Sequence, residues 1–224
     1  MIADEYPKNI IKGGSANFSF DKNRPVELII DSLKRTVPHF KSYLLTKIDK
    51  KYLNEDELTQ VFVEQLDIQI RKLNLPFGVK NEYQDIYSRS PGYSDFYFHP
   101  IEEFKSTASL FSVECKRLPA PTKSREKEYL IGNKKNGGIE RYKLEIHGRG
   151  LSNCGMLAFI EDKSTDHWLK SINEWIYEIA ESDKKWRIKE RLIRKEKAIE
   201  FTYLHSVVYT ISQRKVKLHH FWLC

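Results

Sequence analysis

Apolar positions along this chain change period three times, and each change marks a boundary between kinds of element. Over 25–48, "PVELIIDSLKRTVPHFKSYLLTKI", the spacing is helical, and Pro38 predicts a division into two helical pieces because proline lacks the N–H an inner helical turn requires. Over 54–73, "NEDELTQVFVEQLDIQIRKL", a step of about 100° per residue brings Leu58, Val61, Phe62, Gln65, Leu66, Gln69 and Leu73 onto one face. Asn54 stands where an N-cap belongs, acids fill the first turn, and Arg71 and Lys72 close the last, each matching the helix dipole.

Beyond Pro76 the period shortens to two. "FGVKNEY" (77–83), "SDFYFH" (94–99) and "LFSVECKR" (110–117) read as strands, with "SPG" at 90–92 and Pro100 as turn signals between them. "GGIERYKLEIHG" (137–148) reads as a helix, "GMLAFIE" (155–161) as a buried strand, and "DHWLKSINEWIYEIAE" (166–181) as an amphipathic helix. A basic stretch, 184–197, reads as a solvated helix face, and "FTYLHSVVYTI" (201–211) and "VKLHHFWLC" (216–224) as closing strands. Residues 1–25 form a poorly patterned lead-in. The order predicts an α/β domain, a mixed β-sheet flanked by helices. One domain over 1–224 is the economical division, with a core at 54–161, an N-terminal helical extension at 1–53 and a C-terminal helix and strand extension at 162–224.

Composition narrows the class. A hydrophobic fraction of 40% with 12 Tyr, 12 Phe and 4 Trp excludes a disordered chain. The formal charge of +7 favours polyanionic partners, nucleic acid among them. Cys115, Cys154 and Cys224 are too scattered for a disulfide framework or a cysteine-rich zinc site, and read as reduced thiols. The opening "MIADEYPKNIIKGG" lacks the basic and apolar regions of a signal peptide, and no apolar run is long enough to span a bilayer. The expectation is a cytoplasmic protein without membrane contact.

Candidate chemistry centres on one triplet. Acid-x-Lys recurs at Asp49-Lys50-Lys51, Glu103-Phe104-Lys105 and Asp183-Lys184-Lys185, in polar or loop-like surroundings where a solvated ion pair is the natural reading. Glu114-Cys115-Lys116 instead ends an apolar strand. Asp95 begins the preceding strand, so antiparallel pairing would bring it to Glu114 and Lys116. Two hard oxygen donors suit Mg²⁺ together with a substrate phosphate, and a lysine beside them can hold or deprotonate a water and meet growing negative charge. A third carboxylate could come from the 54–73 helix. Glu55 projects toward its inner face, while Glu57 has a competing role, because Asn54-x-x-Glu57 has the form of a capping box. Cys115 should point away from Glu114 into the core. His205, His219 and His220 read as core or surface residues, since adjacent histidines on a strand face opposite ways.

Asp95 followed by Glu114-Cys115-Lys116, with "NEDELT" upstream and "GGIERY" and "GMLAFIE" downstream, resembles the PD-(D/E)xK nuclease superfamily over about residues 54–161. "FSVECKRL" and "GIERY" look like its small bacterial members, some linked to defence against foreign DNA. The resemblance implies a restriction-endonuclease-like α-β-β-β-α-β core and Mg²⁺-dependent cleavage of DNA, with Mn²⁺ as a substitute. It implies catalysis by Asp95, Glu114 and Lys116, and a metal held by Asp95, Glu114 and Glu55, with Glu57 in reserve. Arg141 would face phosphate or serve the structure. The chain departs from the motif in one place: its proline is Pro91, not the neighbour of Asp95. Arg117, Lys134, Lys135 and Arg141 are the candidate DNA contacts, although "GNKKNGG" (132–138) reads first as a surface loop. Target choice would fall to a homodimer or a partner protein. An RNA-cleaving relative and a non-catalytic nucleic-acid-binding or partner-binding subunit of the same fold are the alternatives.

Overall fold

The computed structural model describes residues 24–47, 53–84, 89–101 and 108–224. The lead-in before residue 24 and the acid-x-Lys triplets at 49–51 and 103–105 lie outside them. The described chain forms helices α1 (Arg24–Lys47), α2 (Glu55–Lys72), α3 (Gly138–Lys143) and α4 (Thr165–Ser182) and strands β1 (Phe77–Gln84), β2 (Tyr93–Pro100), β3 (Phe111–Leu118), β4 (Asn153–Ile160), β5 (Ile193–Lys197), β6 (Phe201–Tyr209) and β7 (Lys215–Leu223). All seven strands join one mixed sheet in the order β1-β2-β3-β4-β7-β6-β5. Parallel pairing of β3 with β4 and of β4 with β7 sets the centre, and antiparallel hairpins flank it.

Side-chain alternation along β3 divides the core in two. Phe111, Val113 and Cys115 pack with α1 and α2 on one face, beside Phe96, Phe98, Leu157 and Phe159. Leu118 shares the other face with Tyr142, Met156, Trp168, Ile172 and Trp222. The result is a three-layer α-β-α arrangement. No helix among the described residues is long and apolar enough to cross a membrane.

Helix α1 is continuous through Pro38, where the sequence predicts a division. Its buried face, Ile29, Leu33, Val37, Phe40 and Leu44, runs unbroken past the proline, whose own side chain is exposed. Each fully buried side chain of this size contributes about 1.5–3 kcal/mol. Five of them outweigh the roughly 3 kcal/mol that an interior proline costs. Helix α2 keeps its expected capping box, with Asn54 accepting from the Glu57 N–H at 2.9 Å and Glu57 accepting from the Asn54 N–H at 2.8 Å. Its inner face is wider than the spacing predicts, since Thr59, Val63 and Ile70 are also buried, while Leu73 caps the helix and is exposed.

Two further expectations change. The helix expected over 137–148 ends at Lys143, and a turn follows in which Glu145 and Gly148 take positive φ. The basic stretch 184–197 is not a helix: it is a short 3-10 turn at Ile188–Glu190 followed by the edge strand β5, whose residues are all exposed. The cause is Glu190, which is turned inward to accept from Lys143 at 2.6 and 2.7 Å and from the Tyr209 N–H at 3.0 Å. Burying that ion pair fixes the turn, and β6 then offers β5 a partner.

The β7 histidines do face opposite ways. His219 lies 2.7 Å from the Tyr203 hydroxyl and 3.0 Å from the Asn153 side-chain oxygen. His220 lies 2.7 Å from the Tyr129 hydroxyl and 2.9 Å from that of Ser206. Burial pushes both well down, to about 3.

Candidate metal centre at the parting of two strands

Among the described residues, strands β2 and β3 pair through three positions, Phe96 with Val113, Tyr97 with Ser112 and Phe98 with Phe111. Beyond Phe96 and Val113 they separate, and the backbone N–H groups of Cys115 and Arg117 lose the strand that would have bonded them. Two carboxylates take their place. Asp95 Oδ2 accepts from the Cys115 N–H at 2.5 Å, and Glu55 Oε2 accepts from the Arg117 N–H at 2.9 Å. A buried backbone donor must find an acceptor, so this parting recruits acids to β3.

Lys116 lies between those acids. Its ammonium is 3.0 Å from Glu55 Oε1 and 3.0 Å from Glu114 Oε1, and it donates to the Cys115 carbonyl at 2.6 Å. Its side chain is only 8% exposed. Burial alone would discharge it, but Glu114, Glu55 and Asp95 together outweigh burial and hold it protonated, above the usual lysine value.

Glu114 is fully buried, on the opposite face of β3 from Cys115. Arg141 on α3 donates to its Oε1 at 2.6 Å. His147 Nδ1 stands 2.9 Å from its Oε2, yet neither atom has an aligned hydrogen bond. The pair is therefore a close contact and not a well-formed bond. Burial pushes Glu114 up, and Lys116, His147 and Arg141 more than offset it, leaving the carboxyl at about 2. Asp95 moves the other way, to about 8, because burial and then the Glu114 charge both disfavour its ionised form. Its carboxylate is enclosed by protein, while the residue keeps part of its surface at the end of a cleft bounded by Asp56, Glu57, Gln60 and Glu82.

Asp95, Glu114, Lys116 and Glu55 are thus brought together, with Cys115 directed into the core. The other named residues are placed as follows. Arg117 pairs with Glu161 at 2.5 Å, and Arg141 is engaged by Glu114. Lys134 and Lys135 are exposed on a loop, both with positive φ. His147 is the residue that periodicity misses. It lies after α3 ends, in a turn closed by Gly148 at φ +60°, and its only mark in the sequence is the adjacent glycine.

Comparison with protein-family models, curated proteins and solved structures finds no match for this chain. Among the described residues, no group of three or more His, Cys, Asp or Glu side chains is gathered as metal ligands would be. A hard divalent cation that keeps most of its waters needs only one or two carboxylates. The donor set that fits it is Asp95, crowded by a like charge, with Glu114, whose Oε2 has no aligned partner. Glu55 spends both oxygens on Lys116 and the Arg117 N–H.

Proposed function

We propose that this protein is a Mg²⁺-dependent endonuclease of the restriction-endonuclease-like fold that hydrolyses DNA phosphodiester bonds. The observation that carries the reading is the convergence of Asp95, Glu114, Lys116 and Glu55 where β2 and β3 part. The order α2-β1-β2-β3-α3-β4 agrees with the α-β-β-β-α-β core that the sequence resemblance implies. A role in bacterial defence or restriction rests on that resemblance alone.

In this reading Asp95 and Glu114 hold the cation, which when bound supplies Lewis-acid stabilisation of charge growing on the phosphate. Lys116 remains an ammonium because carboxylates surround it, so it acts as a donor and countercharge rather than as a base. From β3 it can orient a water and meet the developing negative charge. Glu55 positions Lys116, and Arg141 and His147 position Glu114. Rigid strands and a packed helix keep these groups in register.

A second reading also has support. Lys116 and Arg141 already pair with Glu114, as they would in a structural ion-pair network of a non-catalytic binding subunit. Linear, circular and single-stranded DNA, and RNA, incubated with Mg²⁺, Mn²⁺ or EDTA test the two readings together with a calorimetric Mg²⁺ titration. Metal-dependent cutting that Glu114→Ala abolishes supports the nuclease. Folded wild type that neither cuts nor takes up Mg²⁺ supports the binding subunit, and RNA cut in preference to DNA would move the substrate class.

A further inference from the structure

Two clefts of the surface differ in charge. The one that ends at Asp95 is bounded by Asp56, Glu57 and Glu82 and would repel a phosphate. The other, of about 620 Å³, lies between the turn at 123–128 and the loop at 131–136, and Lys123, Arg125 and Lys127 line it. We propose that this second cleft seats the phosphate backbone of duplex DNA and delivers it to the Glu55–Lys116 side of the centre. The proposal rests on the nuclease reading and assigns to it a binding surface.

Three observations link the cleft to the centre. Its first wall begins a few residues after Lys116, as the chain leaves β3. Its second wall leads into α3, which is tied to the centre by the 2.6 Å bond from Arg141 to Glu114. Arg125 also feels the charge of Glu55, which helps to raise its pKa after its bond to Glu128.

The lining suits a backbone and not bases. The Lys123 side chain, exposed in the cleft, has no ion pair or hydrogen bond among the described residues, and the same holds for the side chains of Lys134 and Lys135 on the loop that forms the second wall. Arg125 pairs with Glu128 at 2.7 Å and Lys127 with Glu178 at 2.6 Å. Pairs whose cations stand at the surface are worth little, so a phosphate can replace the carboxylate. Glu126 and Glu128 add two opposing charges to the lining, which Lys123, Arg125 and Lys127 outnumber. Ser124, Asn133 and Asn136 supply neutral donors of the sort that bind phosphate oxygens. No aromatic side chain among the described residues lines the cleft, so unpaired bases would find no stacking platform there. Binding should therefore be indifferent to sequence and steeply dependent on salt.

The test is fluorescence anisotropy of a labelled DNA duplex, in EDTA, over about 50–200 mM salt. Wild type is compared with Lys123→Glu/Arg125→Glu and with Lys215→Glu. Lys215 begins β7, at the end of the sheet opposite the C-terminal end of β3, and is exposed. All three proteins are first shown to melt alike. The cleft variant should bind about tenfold more weakly, with a log–log salt slope shallower by about two, and Lys215→Glu should bind as wild type. Equal binding by wild type and the cleft variant would overturn the proposal. So would preference for single strands over duplex, or for RNA duplex over DNA. Adding Mg²⁺ separates the two claims: weakened binding without cleavage by wild type leaves the cleft standing and removes the nuclease, whereas full binding and cleavage by the cleft variant does the reverse.

Discussion

Replacing Asp95 by Asn should make the metal-free protein more stable at neutral pH. The folded protein holds the Asp95 proton up to about 8, whereas the ordinary value is 3.8. Between those values the unfolded chain has released a proton that the folded chain keeps. Wild-type stability therefore falls as pH rises across that window and levels off above it. One proton corresponds to about 1.4 kcal/mol per pH unit. From 3.8 to pH 7 the Asp95 contribution reaches at most about 4 kcal/mol. Local relaxation reduces this, and a gain of about 2–4 kcal/mol is expected. Asn keeps an oxygen for the Cys115 N–H and carries no charge to crowd Glu114, so the variant loses the slope without losing the bond. The assay is urea unfolding of both proteins in EDTA at pH 5, 6, 7 and 8, with equal m-values required. Other titrating groups act in both proteins and cancel in the difference. If the proposed centre binds Mg²⁺, adding it should restore wild type preferentially, by about 2.7 kcal/mol at a hundredfold excess over its dissociation constant. A difference that stays flat from pH 5 to 8, or an Asn variant less stable at pH 7, would refute the reasoning. Asp95 would then be an ordinary strand-capping carboxylate.

Other consequences can be measured with the same proteins. Glu55→Gln keeps an acceptor for the Arg117 N–H but removes a charge beside Lys116; plasmid cleavage should fall about tenfold while a denaturant curve shifts by no more than about 1 kcal/mol, because Glu55 is partly exposed. Lys143→Met leaves the fully buried Glu190 carboxylate without its cation and should cost about 3–5 kcal/mol in the same unfolding assay, with the cleavage rate per folded molecule unchanged. His219 and His220, held neutral down to about 3 against the usual 6.5, cannot take up protons that the unfolded chain binds. In the Asp95→Asn background, where the opposing carboxylate is gone, stability should be complete above about pH 6.5 and fall by about 2 kcal/mol per histidine by pH 5. An unfolding free energy that does not change between pH 7 and 5 would contradict that assignment.

The features that local spacing governs were legible in the sequence. Alternation over 111–118 places Cys115 in the core and Glu114 on the other face, and the Asn54-x-x-Glu57 pattern both caps α2 and leaves Glu55 free to reach β3. Antiparallel pairing of adjacent strands brings Asp95 to Cys115. What escaped depends on partners distant in the chain. Pro38 is tolerated because five buried side chains hold α1 against the sheet, a fact that a local penalty cannot contain. Residues 184–197 carry the charge of a solvated helix, yet Glu190 finds Lys143 and β5 finds β6. His147 reaches Glu114 only because α3 stops early and the chain turns back, so no periodicity announces it.

The most direct measurement of the central claim is nicking and linearisation of supercoiled plasmid by wild type and Lys116→Met, each in Mg²⁺ and in EDTA. Wild type should cut in Mg²⁺ and stop in EDTA, and a folded Lys116→Met should be slower by about a hundredfold or more, since it lacks the ammonium that meets the growing charge. Equal cutting by the two proteins, or cutting that EDTA leaves untouched, would contradict a metal centre built from Asp95, Glu114 and Lys116.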